Sequence, residues 1–277
     1  MRNVFLFLTL LGQAGCLSPC GLRLVPPEDL LIYQPAGPHS EEWQPPDLEY
    51  EDVHFTTPDG MQLHGWYCPV ENPRATLLFC HGNAGNIAYR YPDLLMLTKE
   101  MKVNVFAFDY RGYGRSEGIP NEKGLLTDAR AARQWVAQRE QIDETEIVLF
   151  GRSLGGGVAV DLAAKDGARA LILESTFTSL PEVANDLLPL SPGLLMLSRF
   201  DSINKIADYQ EPLLIAHGTQ DKLIPFAHGK RLFDAANEPK QLVPITGADH
   251  NWTPPPGYLQ TLDAFLDKVP AKRERSQ

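Results

Sequence analysis

The chain has 277 residues, of which 43% are hydrophobic and 22% are charged, so it can bury a large core as one globular domain or as one domain with a small insertion. Its formal net charge of −10 and the lack of a basic stripe with interleaved aromatic residues argue against a nucleic-acid partner. The four cysteines show no spacing typical of a metal site, and no metal or other cofactor is expected.

The first residues have the pattern of an export signal. Arg2 is followed by a short apolar run over residues 4–11 and then by the small residues that precede a cleavage site. The run is too short for a comfortable membrane span. The tripeptide that ends at Cys16 is similar to the end of a bacterial lipobox, although Gln13 stands where an aliphatic residue is usual. A lipoprotein, a cleaved or uncleaved signal anchor and a buried segment are therefore the alternatives for residues 1–16, and we expect an exported chain held at the membrane through its N-terminus.

Residues 17–47 are rich in proline and predict a tether between this segment and the domain. The prolines are expected to prevent regular structure, although residues 29–33 are apolar enough to pack on the domain. The globular domain is expected over residues 48–270, and the basic tail at 271–277 is expected to be solvated. Cys80 ends an apolar run and is predicted to be a small core residue.

Apolar runs alternate with amphipathic segments along the domain. Strands are predicted over residues 48–56, 61–67, 76–80, 103–108, 146–150, 170–173, 213–216 and 241–245. Helices are predicted within 87–101, over 121–138, over 156–164, from near Pro225, and at the end of the domain, where Leu259, Leu262, Leu266 and Val269 share one face. This alternation predicts an α/β fold with a mostly parallel eight-stranded sheet and helices on both faces. Ligands bind at the carboxyl ends of such strands.

The sequence Gly151-Arg152-Ser153-Leu154-Gly155 follows a predicted strand and precedes a predicted helix. A strand, a sharp turn and a helix together form a nucleophile elbow, in which the turn strains the backbone of the central serine and excludes bulky neighbours. Gly151 and Gly155 meet that requirement. The start of the helix directs its free N–H groups and its positive dipole end at the position where an oxyanion develops. Ser153 is therefore the candidate nucleophile.

A serine hydroxyl is a weak nucleophile unless a base takes its proton, and that base needs an acid to orient it. In proteins with a nucleophile elbow, the serine, the acid and the histidine follow one another in this order along the chain. Asp221 comes after the predicted strand at 213–216, and His250 comes after the last predicted strand. Asp221 is thus the candidate acid and His250 the candidate base.

Other residues compete for these roles. Glu174 also ends a strand and is the rival acid, but a hydrogen-bonding role beneath the site is favoured for it. His217 lies at a strand end and is expected to be a structural hydrogen-bonding residue. His228 lies in the following helix and is expected to be exposed. Asp249, beside the candidate base, is expected to stabilise its loop.

The glycine-rich stretch HGNAG, at residues 81–85, follows another buried strand. It matches the loop that supplies one N–H of the oxyanion hole in proteins with a nucleophile elbow, the other coming from the residue after the nucleophile. Asn83 and Leu154 are therefore the candidate donors. A phosphate-binding loop is the alternative, but the stretch lacks the Lys-Ser/Thr ending of a P-loop and the G-x-G-x-x-G spacing.

Six segments, HGNAGN, FDYRGYGRS, GRSLGG, ESTFTS, HGTQDKLIP and GADHN, occur in the order found in the alpha/beta-hydrolase superfamily. Over residues 48–268 the chain resembles this superfamily, and it looks most like the N-terminally anchored branch that includes the protein depalmitoylases and many bacterial hydrolases. The resemblance implies the alpha/beta-hydrolase fold, the triad of Ser153, Asp221 and His250, and the two N–H donors named above.

The expected activity is cofactor-free hydrolysis of a small-molecule carboxylic ester or thioester through an acyl-enzyme. A peptidase of the same fold is the nearest alternative, because one scaffold of this kind hosts many chemistries. A non-catalytic binding protein is the alternative from another class. It would be favoured by the loss of a triad residue, and none is missing.

The stretch between Glu174 and the strand at 213–216 is too short for a large cap domain, so a small helical insertion is expected. Within it, residues 187–197 are strongly apolar and are interrupted by prolines and a glycine. One interpretation is an ordinary sheet-covering helix, since apolar runs usually form core. The other is that the run lines the site of an acyl chain. That interpretation predicts a preference for short to medium chains and makes Leu194 the residue to test.

Overall fold

The computed structural model describes residues 26–38, 43–188 and 192–269. The predicted export segment with Cys16, the first part of the predicted tether and the predicted basic tail lie outside these residues and stay predictions. Within the described ranges, no helix has the length and apolar character that are needed to cross a membrane.

A single sheet of eight strands organises the chain and confirms the predicted α/β fold. Its order is β1-β2-β4-β3-β5-β6-β7-β8, with β1, β2 and β4 paired antiparallel and every pair from β4 to β8 parallel. The carboxyl ends of the parallel strands therefore lie along one edge. The strands are β1 (Glu51–Thr56), β2 (Gln62–Cys68), β3 (Thr76–Cys80), β4 (Asn104–Phe108), β5 (Val148–Arg152), β6 (Ala170–Glu174), β7 (Leu213–Gly218) and β8 (Lys240–Ile245).

Helices cover both faces of this sheet, as predicted. Side chains alternate between the faces along each strand, so Leu78 joins one core cluster and its neighbour Leu77 joins the other. The first cluster lies beneath α3, α4 and α6, and the second lies beneath α2 and α7. The helices are α1 (Pro27–Ile32), α2 (Tyr91–Lys99), α3 (Glu122–Glu140), α4 (Leu154–Asp166), α5 (Leu180–Leu187), α6 (Phe226–Ala235) and α7 (Pro256–Lys268).

Several elements begin or end a few residues from the predicted positions. β5 starts later than predicted because a 3-10 turn at Glu144–Glu146 occupies the start of the apolar run. The helix expected within 87–101 is divided into a 3-10 helix, Ile87–Arg90, and α2. Pro92 explains the division, since it has no N–H with which to continue a helix from the preceding turn. Cys80 is buried and carries a free thiol, as expected of a core residue.

The proline-rich segment before the domain contains regular structure. Pro26 and Pro27 were expected to prevent it, but α1 begins at Pro27, where a missing N–H costs nothing because the first N–H groups of a helix have no partner. The expected packing of residues 29–33 is confirmed, since Tyr33 is only 3% exposed. Beyond it, Ala36 N–H donates to the Gly85 carbonyl at 3.0 Å and so joins this segment to the HGNAG loop.

The insertion between β6 and β7 is small, as predicted. It begins with α5, and a 3-10 turn at Pro192–Leu195 then packs back on that helix. Gly193 makes this contact, because a Cβ there would lie 2.2 Å from the Pro181 carbonyl oxygen. Leu194 and Leu195 are each 86% exposed. The interpretation of the apolar run as a sheet-covering helix is therefore wrong, since the 3-10 turn packs against α5 and not against the sheet.

The turn between β5 and α4 is packed too closely to admit a side chain on its glycines. Ser153 has a φ of 54° and a ψ of −119°, which is the strained geometry expected of a nucleophile elbow. A Cβ on Gly155 would lie 1.9 Å from the Cys80 carbonyl oxygen, and one on Gly151 would lie 2.5 Å from the Gly155 carbonyl oxygen. These contacts hold the start of α4 directly against the end of β3.

We expect Gly155→Ala to lower the free energy of unfolding by about 3 kcal/mol or more, because overpacking here can be relieved only by moving backbone. Gly257→Ala is the matched control, since a Cβ there meets nothing within 4 Å. Urea unfolding followed by circular dichroism measures both changes. Equal midpoints for the two variants would contradict the packing argument.

Candidate active site

Ser153 stands at the centre of the carboxyl edge of the sheet, on the turn that leads from β5 into α4. Its backbone is held from β6, because Ser153 N–H donates to the Glu174 carbonyl at 2.9 Å. The Thr176 hydroxyl donates to the Ser153 carbonyl, also at 2.9 Å. The strained turn is thus fastened on both sides of the serine, and the half-buried side chain faces the loops at this edge.

The structure brings together the three residues that the sequence predicts as a triad. His250 Nε2 lies 3.1 Å from Ser153 Oγ, and His250 Nδ1 lies 2.8 Å from Asp221 Oδ2. Both distances are within hydrogen-bonding range for proton transfer. Asp249 stabilises the loop as expected, since its carboxylate accepts the N–H groups of His250 and Lys222 at 2.8 and 3.0 Å.

The Asp221 carboxylate is fixed by several donors. Its Oδ1 accepts the N–H groups of Leu223 and Ile224 at 2.9 and 2.8 Å. Burial favours the neutral acid, but hydrogen bonds from His217, His250 and the Ile224 N–H outweigh it and hold the pKa of Asp221 below its usual range. Asp221 therefore stays ionised at neutral pH and can stabilise a positive charge on His250.

Glu174 has no comparable contact with the candidate base. It is 2% exposed and accepts the Tyr258 hydroxyl at 2.5 Å, while Arg152 Nη1 lies 3.7 Å from its other oxygen. Burial raises the pKa of Glu174 to about 7, and the nearby Arg152 only partly opposes this effect. Glu174 thus lies beneath the site as a buried hydrogen-bond acceptor, which is the role that the sequence favours.

The two rival histidines are both structural. His217 is buried and its Nε2–H donates to the Ile224 carbonyl at 2.8 Å, as expected. The prediction that His228 is exposed is wrong, because it is 2% exposed. It lies one turn before Leu232 on the inward face of α6, where its ring bonds to Thr178 at 2.7 Å and to Asp186 at 2.8 Å.

The HGNAG loop lies beside the nucleophile. A Cβ on Gly82 would lie 3.4 Å from Ser153 Cβ, so the loop approaches the serine directly before Asn83. The Asn83 side chain accepts the Tyr113 hydroxyl at 2.8 Å and the Gln34 N–H at 3.1 Å. Leu154 is the first residue of α4, and its N–H therefore has no partner within that helix.

The sequence does not predict a role for the residues that hold these loops in place. Tyr113 and Thr176 lie within the segments FDYRGYGRS and ESTFTS, which are typical of the superfamily. The sequence therefore marks these two residues but does not predict what they do. Gln34 and Ile32 belong to the segment predicted as a tether and carry no such signal. Their contacts with Asn83, at 3.1 and 2.5 Å, arise only when the chain folds back on the loop.

An apolar groove, with a cavity volume of about 380 Å³, leads away from Ser153 between the insertion and the loop after β7. Ser153, Leu154 and Asn83 lie at its inner end. Leu194 does not line the groove, so the prediction that Leu194 is the leucine of the apolar run at the acyl site is wrong. The apolar walls are built mainly by Phe177, Leu180, Val183, Leu187, Leu188 and Met196.

A second cavity of about 870 Å³, the polar cleft, opens on the other side of Ser153. His250 and Trp252 line it beside the serine, and Arg90, Asp93 and Arg152 also line it. Its charged side chains contrast with the apolar groove. Among the described residues, no group of three or more His, Cys, Asp or Glu side chains is arranged to hold a metal ion.

Comparisons with known proteins bear on the family and the fold of the chain. A family model described as "Serine aminopeptidase, S33" matches residues 71–202. The uncharacterized protein YfhR of Escherichia coli K12 is 38% identical over 240 residues, which cover 83% of this chain and 80% of that protein. The alpha/beta hydrolase domain-containing protein WAV2 of Arabidopsis thaliana is 37% identical, and the match covers 95% of each chain.

Solved structures with similar folds include esterases. The Pyrococcus furiosus esterase Pf2001 superposes with a TM-score of 0.71 and 23% identity, covering 85% of this chain and 99% of that one. An alpha-beta serine hydrolase homologue from Coxiella burnetii has a TM-score of 0.58 and 23% identity, covering 78% of this chain and 95% of that one. At these identities the likeness concerns the fold alone.

The buried Glu174 makes stability depend on pH. Its folded pKa of about 7 is above the unfolded value, so the folded state binds the proton more tightly. The contribution of protonated Glu174 to the free energy of unfolding is complete below the unfolded pKa, and it is lost as the pH rises through about 7. Glu174→Gln cannot ionise and keeps an acceptor for Tyr258. We expect the free energy of unfolding of this variant, relative to wild type, to rise by roughly 2 kcal/mol between pH 5 and pH 8.

Chemical denaturation at the two pH values measures this change. Glu100→Gln, at an exposed glutamate, is the control and should show no comparable trend. A constant difference between Glu174→Gln and wild type would mean that Glu174 is already ionised at pH 5.

Proposed function

This chain belongs to the alpha/beta-hydrolase family, and we propose that it is a serine hydrolase that cleaves carboxylic esters or thioesters through an acyl-enzyme on Ser153. The observation that carries the proposal is the hydrogen-bonded chain from Ser153 Oγ through His250 to Asp221, with distances of 3.1 and 2.8 Å. A serine, a histidine and a carboxylate in this order and at these distances are the parts that acyl transfer requires.

In the proposed reaction, His250 Nε2 takes the proton of Ser153 as Oγ attacks the acyl carbonyl carbon. The resulting oxyanion is stabilised by the N–H groups of Asn83 and Leu154 and by the start of α4. His250 then gives its proton to the leaving oxygen or sulfur, and the bond from the acyl carbon to that atom breaks. A water molecule, deprotonated by His250, hydrolyses the acyl-enzyme, and the proton returns to Ser153 as the acid leaves.

Asp221 acts in this scheme through His250. Its carboxylate accepts the Nδ1–H, which leaves Nε2 free to receive the serine proton. Because its pKa is held below the usual range, Asp221 stays negative and stabilises the imidazolium that forms. Glu174 has no part in this step, since it bonds to Tyr258 beneath the turn.

The apolar groove suits the acyl part of the substrate. It starts at Ser153 and Leu154 and continues between mainly apolar side chains. Its charged lining residue, Glu28, already accepts the N–H groups of Leu197 and Ser198 at 2.9 and 2.8 Å. Each CH₂ that it buries adds about 0.8 kcal/mol to binding. We therefore propose an aliphatic acyl chain of short to medium length.

Peptide hydrolysis is the second candidate, because the matching family model carries the description serine aminopeptidase. The same triad would serve that reaction, with an amine as the leaving group. Esters are favoured by the long apolar groove. Peptide p-nitroanilides tested beside the esters separate the two activities.

We expect Ser153→Ala and His250→Ala each to lower kcat for a p-nitrophenyl ester by about 10⁴-fold, since the triad works as a unit. Asp221→Asn should cost about 10³-fold or more, because asparagine no longer selects the histidine tautomer. Glu174→Gln is the matched acid control and should cost far less. Steady-state kinetics on folded variants, with fluorophosphonate labelling of Ser153, measure these effects. Near wild-type turnover by Ser153→Ala would refute the proposal.

For p-nitrophenyl esters from acetate to palmitate, we expect kcat/KM to rise with chain length until the groove is filled and then to level or fall. Leu188→Ser should lower kcat/KM for the preferred chains by roughly threefold to tenfold, because it replaces apolar surface within the groove. Leu194→Ser is the matched control, since Leu194 is 86% exposed and outside the groove. A flat profile that neither variant alters would exclude an acyl site here.

A further inference from the structure

The position of His250 identifies which cavity receives the leaving group. In the reaction proposed above, on which this inference rests, His250 protonates the leaving atom, so the leaving group must lie beside the imidazole. His250 lines the polar cleft, whereas the walls of the apolar groove do not include it. The acyl chain therefore occupies the groove and the alcohol or thiol occupies the cleft.

The polar cleft contains more positive than negative charge. Arg90 and Arg152 both line it, and Asp93 is the acidic side chain among its lining residues. Arg152 Nη1 lies 3.4 Å from Asp93 and 3.7 Å from Glu174 beneath the cleft. Burial raises the pKa of Glu174 to about 7, so this acid carries less than a full negative charge near neutral pH. The two carboxyl groups thus only partly neutralise the two guanidinium groups.

The described residues satisfy the guanidinium of Arg90 only in part. Its guanidinium donates to the Ala84 carbonyl, but it forms no ion pair with any described carboxylate, and its Nε has no hydrogen-bond partner among the described residues. The side chain is partly buried, and burial lowers the pKa of Arg90, although the charge of Asp93 opposes this effect and that of Arg152 adds to it. A partly desolvated guanidinium without a carboxylate gains more from a bound anion than a solvated one does.

We propose that Arg90 and Arg152 form a subsite for an oxyanion, a carboxylate or a phosphate, carried by the leaving alcohol or thiol of the substrate. The planar donors of arginine match both kinds of oxyanion. The chain has a net charge of −10, which repels anions at long range, so an anionic substrate needs this local positive charge to bind. The substrate class is then an aliphatic acyl ester or thioester with an anionic leaving group.

The kinetic test compares esters with one acyl chain and different leaving groups. One pair is p-nitrophenyl butyrate and its ring-carboxylated analogue, and the other is butyrylglycerol and butyrylglycerol phosphate. The wild type should have a higher kcat/KM for the anionic member of at least one pair, and the pair that responds identifies carboxylate or phosphate. In Arg90→Gln and in Arg152→Gln, the ratio of anionic to neutral kcat/KM should fall about tenfold. The ratio corrects for any general slowing, such as loss of the Arg90 contact with Ala84.

Two further variants show whether the effect is local. Arg90→Lys keeps the charge but loses the planar donors, so it should restore part of the ratio. Arg139→Gln removes one charge from an exposed arginine that pairs with Glu51 at 2.7 Å, far from the cleft, and it should leave the ratio unchanged. The wild-type ratio should also fall as ionic strength rises. A ratio that falls equally in Arg139→Gln would attribute the effect to net charge and overturn the proposal.

A binding measurement separates this proposal from the proposed hydrolysis. Phenyl phosphate and phenylacetate, titrated into each variant and followed by calorimetry or NMR, report anion binding without any turnover. We expect about tenfold weaker binding of the preferred anion in Arg90→Gln than in wild type or Arg139→Gln. If wild type hydrolyses no ester but shows this difference, only the hydrolase proposal fails. If neutral esters are hydrolysed and neither ratio nor affinity changes in Arg90→Gln and Arg152→Gln, the anion subsite is refuted.

Discussion

The close packing of the β5–α4 turn against β3 is the constraint on which the rest of the site depends. Ser153 keeps a φ of 54° only because the glycine at 155 lets the start of α4 touch the Cys80 carbonyl. The same contact brings the HGNAG loop, which follows Cys80, beside the serine. One tight approach of two backbones thus places the half-buried Ser153 at the start of α4 and beside the HGNAG loop. Strain of this kind persists because Thr176 and Glu174 hold the turn from β6.

The pKa values of two acids near this turn are shifted in opposite directions because the surroundings of the two carboxyl groups differ. Asp221 receives the N–H groups of Leu223 and Ile224 and two histidines, and these donors favour its charged form. Glu174 is buried beneath the turn, where the Tyr258 hydroxyl and the more distant Arg152 guanidinium do not compensate for the cost of burying a charged carboxylate. Environments that separate the pKa values of two carboxyl groups also separate their roles. The acid that stays charged is the one that faces the histidine.

The two cavities around Ser153 are built by parts of the chain that lie outside the central sheet. α5 and the turn after it form a wall of the apolar groove, and His228 fastens α5 to α6 through Asp186 and Thr178. The segment after α1 fastens the HGNAG loop from the other side. The carboxyl edge of the sheet therefore carries the candidate triad, and these added segments shape the two cavities beside it. The charged side chains of the polar cleft come instead from β5 and from the residues at the start of α2. This division explains how one scaffold serves many substrates.

The sequence by itself determined the sheet, the strand–turn–helix around Ser153 and the order of serine, acid and histidine, because short-range periodicity and glycine spacing encode local geometry and strand ends. Only the tertiary structure decided that His228 is buried, that the backbone of residues 32–36 hydrogen-bonds to the HGNAG loop and that Leu188, not Leu194, lines the groove. Those features depend on contacts between residues far apart in the chain. The spacing of apolar residues predicts that a side chain is buried, but it does not predict which residues that side chain contacts. Arg90 and Arg152 line the same polar cleft for the same reason, since this requires the end of β5 to lie beside the residues that lead into α2.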